Sequence, residues 1–532
     1  MVTNIQSEVK RRRTFAIISH PDAGKTTLTE KLLLFGGAIR LAGTVKGRKS
    51  KKFATSDWME LEKQRGISVT SSAMQFSYND YKVNILDTPG HQDFSEDTYR
   101  TLLAADSAVM LIDAAKGVEA QTIKLFEVCS LRGLPVFTFI NKLDRVGKEP
   151  LELLEEIENV LGIRSYPMNW PVGMNFDFKG VYDRKREHLE LFDKNDDNET
   201  RKTISIEEAI ANNKITESDY NNLLEDLELL EVAGDDYNID EILQGKLTPV
   251  FFGSALNNFG VQTFLEEYLD IAPPPRAYQT QKGVIDPVTN DFSGFVFKIQ
   301  ANMNPAHRDR IAFMRICSGK FEKGLAVNHM RSGKTIKLSQ PQQFFAQERD
   351  IIEEAYPGDI IGVFDPGIFS IGDTVCYKGD FEFSKPPQFA PEIFARLINS
   401  DTGKYKQFQK GLHQLIEEGT IQLFKTIGAS EELIIGAVGQ LQFDVFKYRL
   451  KEEYGADIIF EGISYQMARW VRSNNPIDLK SLDMLGSKPA YDSDNNIIVL
   501  VEAEYVLRWL KDRNPDLEFF STSSEETFSN IS

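Results

Sequence analysis

Nine residues near the start, Ser19-His20-Pro21-Asp22-Ala23-Gly24-Lys25-Thr26-Thr27, follow a short apolar, β-branched run (Thr14 to Ser19) and lead into a helical stretch from Lys25. A loop that leaves a strand and enters a helix presents several backbone N–H groups to one point. The helix N-terminus adds partial positive charge, so a phosphate chain fits there. In that reading Gly24 lets the backbone come close, Lys25 reaches the terminal phosphates and the Thr26 hydroxyl ligates Mg²⁺. The P-loop pattern has Gly at its first position, where this chain has Ser19. Taken alone, the motif is evenly balanced against an ordinary strand-to-helix turn; the flanking strand and helix favour phosphate.

Three further motifs follow in order. Asp87-Thr88-Pro89-Gly90-His91 ends an apolar run. An Asp at that strand end holds Mg²⁺ through water, and the Gly90 N–H contacts a terminal phosphate; the alternative is a plain Pro-Gly turn. Asn141-Lys142-Leu143-Asp144 follows another strand. The Asp144 carboxylate accepts two hydrogen bonds from guanine N1–H and N2–H₂, whereas adenine would leave it unpaired, a discrimination of several kcal/mol. Asn141 braces the loops and the Lys142 stem lies along the base. Ser254-Ala255-Leu256, after Gly253, offers the Ala255 N–H to guanine O6. Each motif stands at the carboxyl end of a successive strand, and together they specify GTP as the nucleotide and GDP as the product.

The elements that must position these groups alternate between strands and helices. Met74 to Tyr78 and Tyr81 to Asp87 flank Asn79-Asp80 as a hairpin. Ala108 to Asp113, Val136 to Ile140 and Thr248 to Phe252 are buried-type strands, separated by helices at Glu119 to Leu131 and Glu149 to Leu161. Such alternation predicts a mostly parallel sheet covered on both faces, with ligands at the carboxyl ends of its strands. Residues 1–275 therefore read as a doubly wound α/β nucleotide-binding domain. An insertion spans about 162–246, and its acidic helices (ten acidic and no basic residues in Glu217 to Glu241) are expected to be solvated. Pro273-Pro274-Pro275 ends this domain. Short strands with turn signals at Gly319, Gly324, Pro357-Gly358-Asp359 and Gly372-Asp373 predict an antiparallel β-barrel over 276–387. Helices at Lys404 to Glu418 and Gly439 to Tyr454, with strands at Leu433 to Ile435 and Asp457 to Phe460, predict an α+β domain over 388–532, ending in a frayed Ser/Thr/Glu-rich tail.

The motif set resembles the translational GTPases. The resemblance rests on HPDAGKTT, on Arg65-Gly66-Ile67-Ser68 and on the run Asp87 to Phe94, and covers essentially the whole chain. Arg13 to His20, Phe35 to Ile39, Ser56 to Glu60 and Gly436 to Val445 resemble the bacterial termination branch of that family. The resemblance implies that Ser68, or a hydroxyl nearby such as Thr70, joins Thr26 and Asp87 at Mg²⁺, and that His91 positions the attacking water once the ribosome draws it in. It further implies a ribosome-dependent GTPase that promotes departure of class-I peptide release factors after peptide release.

With 532 residues, 41% hydrophobic and 26% charged, the chain can bury a sizeable core. No apolar run approaches the roughly 20 residues of a membrane span. The net charge of −18 speaks against overall nucleic-acid coating, and DNA is not an expected partner. Local clusters, Lys46 to Lys52 and Lys10 to Arg13, are where ribosomal RNA could touch, although such runs are commonly just solvated. Cys129, Cys317 and Cys376 lie far apart without metal spacing, as expected of reduced thiols in a cytoplasmic monomer. A translocase like elongation factor G would need further domains after the third. A GTP-dependent scaffold that does not turn over is the remaining alternative, against which Lys25, Thr26, Asp87 and His91 argue.

Overall fold

Apolar, β-branched runs separated by helices form the first sheet. The computed structural model describes residues 4–38, 71–173, 175–191, 202–301, 310–338, 341–345, 348–428, 431–473, 477 and 486–523. Its strands are β1 (Arg12–Ser19), β2 (Ser72–Tyr78), β3 (Tyr81–Asp87), β4 (Ser107–Asp113), β5 (Val136–Asn141) and β6 (Arg164–Pro167), followed, in an insertion, by β7 (Asn169–Val172), β8 (Gly180–Asp183), β9 (His188–Leu191) and β10 (Lys202–Ile204), and then by β11 (Leu247–Phe252). The sheet order is β2-β3-β1-β4-β5-β11-β6. All pairings are parallel except β2 with β3, a hairpin whose turn residues Asn79 and Asp80 have φ of 43° and 66°, the handedness a two-residue hairpin needs. Strands β1, β4, β5 and β11 are buried along their whole length because helices cover both faces.

The insertion differs from its expected outline in two ways. Arg164–Pro167 belongs to the main sheet, paired in parallel with β11, and the four-stranded antiparallel insertion sheet begins only at Asn169. An edge strand of four residues, Arg-Ser-Tyr-Pro, carries no apolar run to announce it. The acidic helix Glu217–Ala233 is also not wholly solvated: it buries Leu223 and Leu230. Asp219 pairs with Lys179 at 2.6 Å, and Asp226 accepts a hydrogen bond from the Trp170 indole at 2.9 Å.

Two antiparallel layers follow. Strands from Ser293–Ala301 to Thr374–Cys376 form an eight-stranded sheet that rolls into a half-barrel around Val296, Met314, Ile361 and Val375. The last region, from Ile393, is a second eight-stranded antiparallel sheet backed by helices Tyr405–Glu417 and Gln440–Tyr454, whose Phe408, Leu412, Phe443 and Phe446 fill the space between. The tail beyond 523 lies outside the described residues. All three cysteines are free and buried. Burial pushes the Cys129 thiol up to about 12 and raises those of Cys317 and Cys376 as well.

The half-barrel is fastened to the first domain through the turn Pro357-Gly358-Asp359. The Gly358 carbonyl accepts from Thr14 Oγ1 (2.8 Å), Asn84 Nδ2 (3.2 Å) and Arg315 Nη1 (2.7 Å). Gly358 has φ of 103°, and a Cβ there would lie 2.6 Å from the Pro275 ring, so only glycine brings this carbonyl so close. Asp359 receives Arg12 at 2.9 Å and Gln75 at 3.0 Å. Arg315, fully buried, pairs with Asp106 at 2.6 Å. Burial alone would favour a neutral guanidine, but the Asp106 charge outweighs it and holds Arg315 protonated more firmly than a free arginine. Replacing one member of a buried pair strands the other charge, at a cost of about 3–5 kcal/mol. Arg315→Met is therefore expected to lower the midpoint of denaturant unfolding sharply, and the double change with Asp106→Leu to recover much of that loss.

Candidate nucleotide-binding site

Register assembles the site. In the parallel ladder Ile17 stands beside Asp87, Ser19 beside Leu111, Asp113 beside Asn141, and Ile140 beside Phe252. The loops after β1, β3, β4, β5 and β11 therefore leave from one edge of the sheet.

In the loop after β1, Asp22 and Gly24 have φ of 67° and 102° on either side of the buried Ala23. Alternating backbone handedness of this kind turns successive N–H groups towards one concavity. Helix Lys25–Phe35 is capped by Gly24, without a capping side chain and without an acidic residue in its first turn, so its leading N–H groups face no anionic side chain of their own. A Cβ on Gly24 would lie 2.3 Å from Asn141 Nδ2. The buried Lys25 ammonium donates to Asp87 Oδ1 at 2.7 Å. Ser19 Oγ is buried without a hydrogen-bond partner, and the half-buried Thr26 and Thr27 hydroxyls have none among the described residues. The His20 ring faces Glu119, Nε2 to Oε1 at 3.3 Å. Gly90 packs on Pro21, its Cβ position 3.4 Å from the Pro21 Cα, which sets the loop after β3 against the phosphate loop.

On the base side Asn141 is the joint. Its Nδ2 donates to the Ala23 carbonyl at 2.9 Å, and its Oδ1 accepts the Ala255 N–H at 2.8 Å. The bracing role expected of Asn141 has these two partners. The Ala255 N–H, expected to meet guanine O6, is thus engaged within the protein, because a buried amide oxygen must find a donor. The next N–H along the loop, that of Leu256, makes no hydrogen bond among the described residues. Asp144 accepts from Ser254 Oγ at 2.6 Å through one carboxylate oxygen. Lys142, held at φ 73°, donates to the Asp22 carbonyl at 2.5 Å and to Asp113 at 2.6 Å, so its stem spans from the base loop to the phosphate loop.

His91, about a third exposed, has its Nδ1 3.0 Å from Asp93 Oδ1. Ser68, Thr70 and the basic cluster Lys46 to Lys52 lie outside the described residues. Three residues enter the site without having been singled out from sequence: Asp113, Glu119 and Asp93. Asp113 ends a buried strand at the same edge as Asp87, and that shared position is a legible signal. The pairings of Glu119 and Asp93 depend on contacts across the fold and leave no spacing to read. The oxygen donors of Thr26 and Asp87 fit Mg²⁺, a hard cation that prefers hydroxyl, carboxylate and water ligands.

Comparison with known proteins finds matches along nearly the whole chain. The family model described as elongation factor Tu GTP binding domain matches residues 10–274, that of elongation factor G domain 2 matches 291–378, and that of class II release factor RF3, C-terminal domain, matches 383–511. A protein of Symbiobacterium thermophilum named peptide chain release factor 3 is 57% identical over 526 residues, covering 98% of this chain and 99% of its own. Proteins of the same name from Listeria monocytogenes (55% identical, 98% and 100% covered) and Gloeobacter violaceus (54%, 97% and 98%) are similar to the same extent. A crystal structure from Thermus thermophilus shares the fold at 21% identity with a TM-score of 0.70, covering 91% of this chain and 72% of the other. With identity above half along nearly its entire length, the chain belongs to the peptide chain release factor 3 family of translational GTPases.

Proposed function

We propose that this protein is a ribosome-stimulated GTPase of translation termination, which binds the ribosome after peptide release, promotes departure of class-I release factors and hydrolyses GTP to GDP and phosphate. The observation that carries this reading is the convergence of the four nucleotide motifs on one sheet edge through Asn141, in a chain similar from end to end to proteins named for that role. The absence, among the described residues, of any helix long and apolar enough to cross a membrane accords with action on ribosomes in the cytoplasm.

Phosphoryl transfer asks the protein mainly to position and to balance charge. The N–H groups of Asp22 to Thr27 line the phosphate chain, with Ser19, His20 and Pro21 shaping the loop's entry and Gly90 its far wall. Lys25 turns from Asp87 to the terminal phosphates. Thr26, Asp87 and a hydroxyl of the first switch, Ser68, would hold Mg²⁺, which supplies charge neutralisation at the phosphates. Asp144 reads the guanine N1–H and N2–H₂, Ser254 orients that carboxylate, the Leu256 N–H faces O6, and the Lys142 stem covers the base. His91 places the attacking water.

Two measurements test this reading. Hydrolysis of GTP is expected to be slow for the protein alone and strongly stimulated by ribosomes, with His91→Ala removing the stimulation while nucleotide binding persists. Equal rates with and without ribosomes would instead favour a scaffold. For the base, Asp144→Asn replaces an acceptor oxygen with a donor amide. It is expected to weaken GTP by about 100-fold, the scale of several kcal/mol for an unpaired buried polar group, and to shift preference to xanthosine triphosphate. Undiminished GTP affinity in a titration would refute the assignment.

A further inference from the structure

Asp93 joins His91 to a different domain. Helix Gln440–Tyr454 begins at Gly439, which has extended backbone (φ −151°, ψ 167°) and no side chain to cap the helix. The cap comes instead from the first domain: Asp93 Oδ2 accepts the Leu441 N–H at 2.9 Å, the interaction an Asp at the helix's own N-cap would make. A Cβ on Gly439 would lie 2.2 Å from the Asp93 carboxylate carbon. Its backbone angles suit any residue, so space alone demands glycine. Next to this contact Phe94 packs on Val445, with Leu441 and Tyr448 alongside, making an apolar seam that keeps water from the carboxylate. The other oxygen, Oδ1, lies 3.0 Å from His91 Nδ1, the only charged partner of His91 among the described residues, and the Asp93 backbone N–H donates to the same nitrogen at 3.4 Å.

A carboxylate oxygen and the backbone N–H of one residue thus meet the same ring nitrogen, so where Asp93 sits fixes where the imidazole sits and which way its Nε2 is aimed. Nε2 is left as the ring nitrogen without a protein partner among the described residues, the one that water can meet. We infer that Asp93 is a positioning residue through which the C-terminal domain sets the aim of His91: the docked helix fixes Asp93, and Asp93 fixes the ring. The inference rests on the reading of His91 as the residue that places water. It makes turnover conditional on the seating of the third domain, because movement of helix Gln440–Tyr454 away from Asp93 frees the carboxylate that the Leu441 N–H holds.

The test uses the full chain, GTP and ribosomes. Gly439→Ala pushes Asp93 aside without touching the nucleotide loops. It is expected to lower the ribosome-stimulated kcat about tenfold, within the range that misplacing a reacting group costs, while GDP affinity and the ribosome concentration at half-maximal rate stay as they were. Introduced into an Asp93→Ser background, Gly439→Ala should add no further loss, because the two changes act through one contact. Asp93→Asn keeps the volume and an oxygen for the Leu441 N–H but replaces the charged oxygen beside His91 with an amide N–H₂, which loosens the hold on the ring. Its thermal unfolding should match the parent while its stimulated kcat falls by about the same tenfold. A wild-type or raised kcat in either Gly439→Ala or Asp93→Asn overturns the inference. Full stimulation in His91→Ala would instead overturn the underlying reading of that histidine.

Discussion

One primary amide holds the candidate site together. Asn141 has a donor and an acceptor, both buried, and each is matched to a backbone group on a different loop: the Ala23 carbonyl in the phosphate loop and the Ala255 N–H in the base loop. A buried amide left unpaired would cost about 1–3 kcal/mol per group, so each loop is held in the position the other requires. The absence of a side chain on Gly24 belongs to the same constraint, since the amide occupies the volume a Cβ would take. The two loops proposed to meet the phosphates and the base are therefore geometrically coupled. Lys142 adds a second strut between the same loops, kept in a left-handed conformation that a lysine does not favour unaided.

The domains meet through polar contacts of contrasting character. Between the first domain and the half-barrel the contacts are buried and charged, with Arg315, Asp106, Arg12 and Asp359 all nearly inaccessible. Between the half-barrel and the C-terminal domain, Arg310 pairs with Glu417, and Glu418, held by Arg449 at 2.7 Å, accepts the Ala301 N–H at 3.1 Å. Between the first and last domains the contacts are the Asp93 carboxylate on a helix terminus, a small apolar seam, the Tyr99 and Phe389 rings edge to face at 5.2 Å, and Arg100 packed on Gly419. The first junction resists opening because separation would expose unpaired charge. At the last, ring and glycine packing does more of the holding, and the charge-assisted bond lost on opening is that of Asp93.

Much of this was legible in the sequence. The strands of the first sheet are long, apolar and bounded by turns, and Thr14 to Ser19, Ala108 to Asp113 and Val136 to Ile140 lie inside the observed strands. The helix at Gln440–Tyr454 was marked by its length and the one at Pro150–Leu161 by its proline at the first turn. Arg164–Pro167 escaped because four mixed residues at a sheet edge have no periodicity. The destination of the Ala255 N–H also escaped, since a motif names residues but not which of two acceptors takes a hydrogen. Pro357-Gly358-Asp359 reads as a turn in any sequence; that the Gly358 carbonyl receives donors from Thr14 and Asn84 depends on chain separations of 344 and 274 residues. Asp93 was visible only as a letter between a histidine and a phenylalanine.

The burial of every thiol has a practical corollary. Cys129, Cys317 and Cys376 are shielded from solvent, and desolvation keeps each protonated at neutral pH, so none offers the thiolate that alkylating reagents attack. A cysteine introduced on the surface of any one domain would react against a silent background. Pairs of fluorescent dyes could then follow the angle between domains in the native chain, without first stripping out its own sulfur.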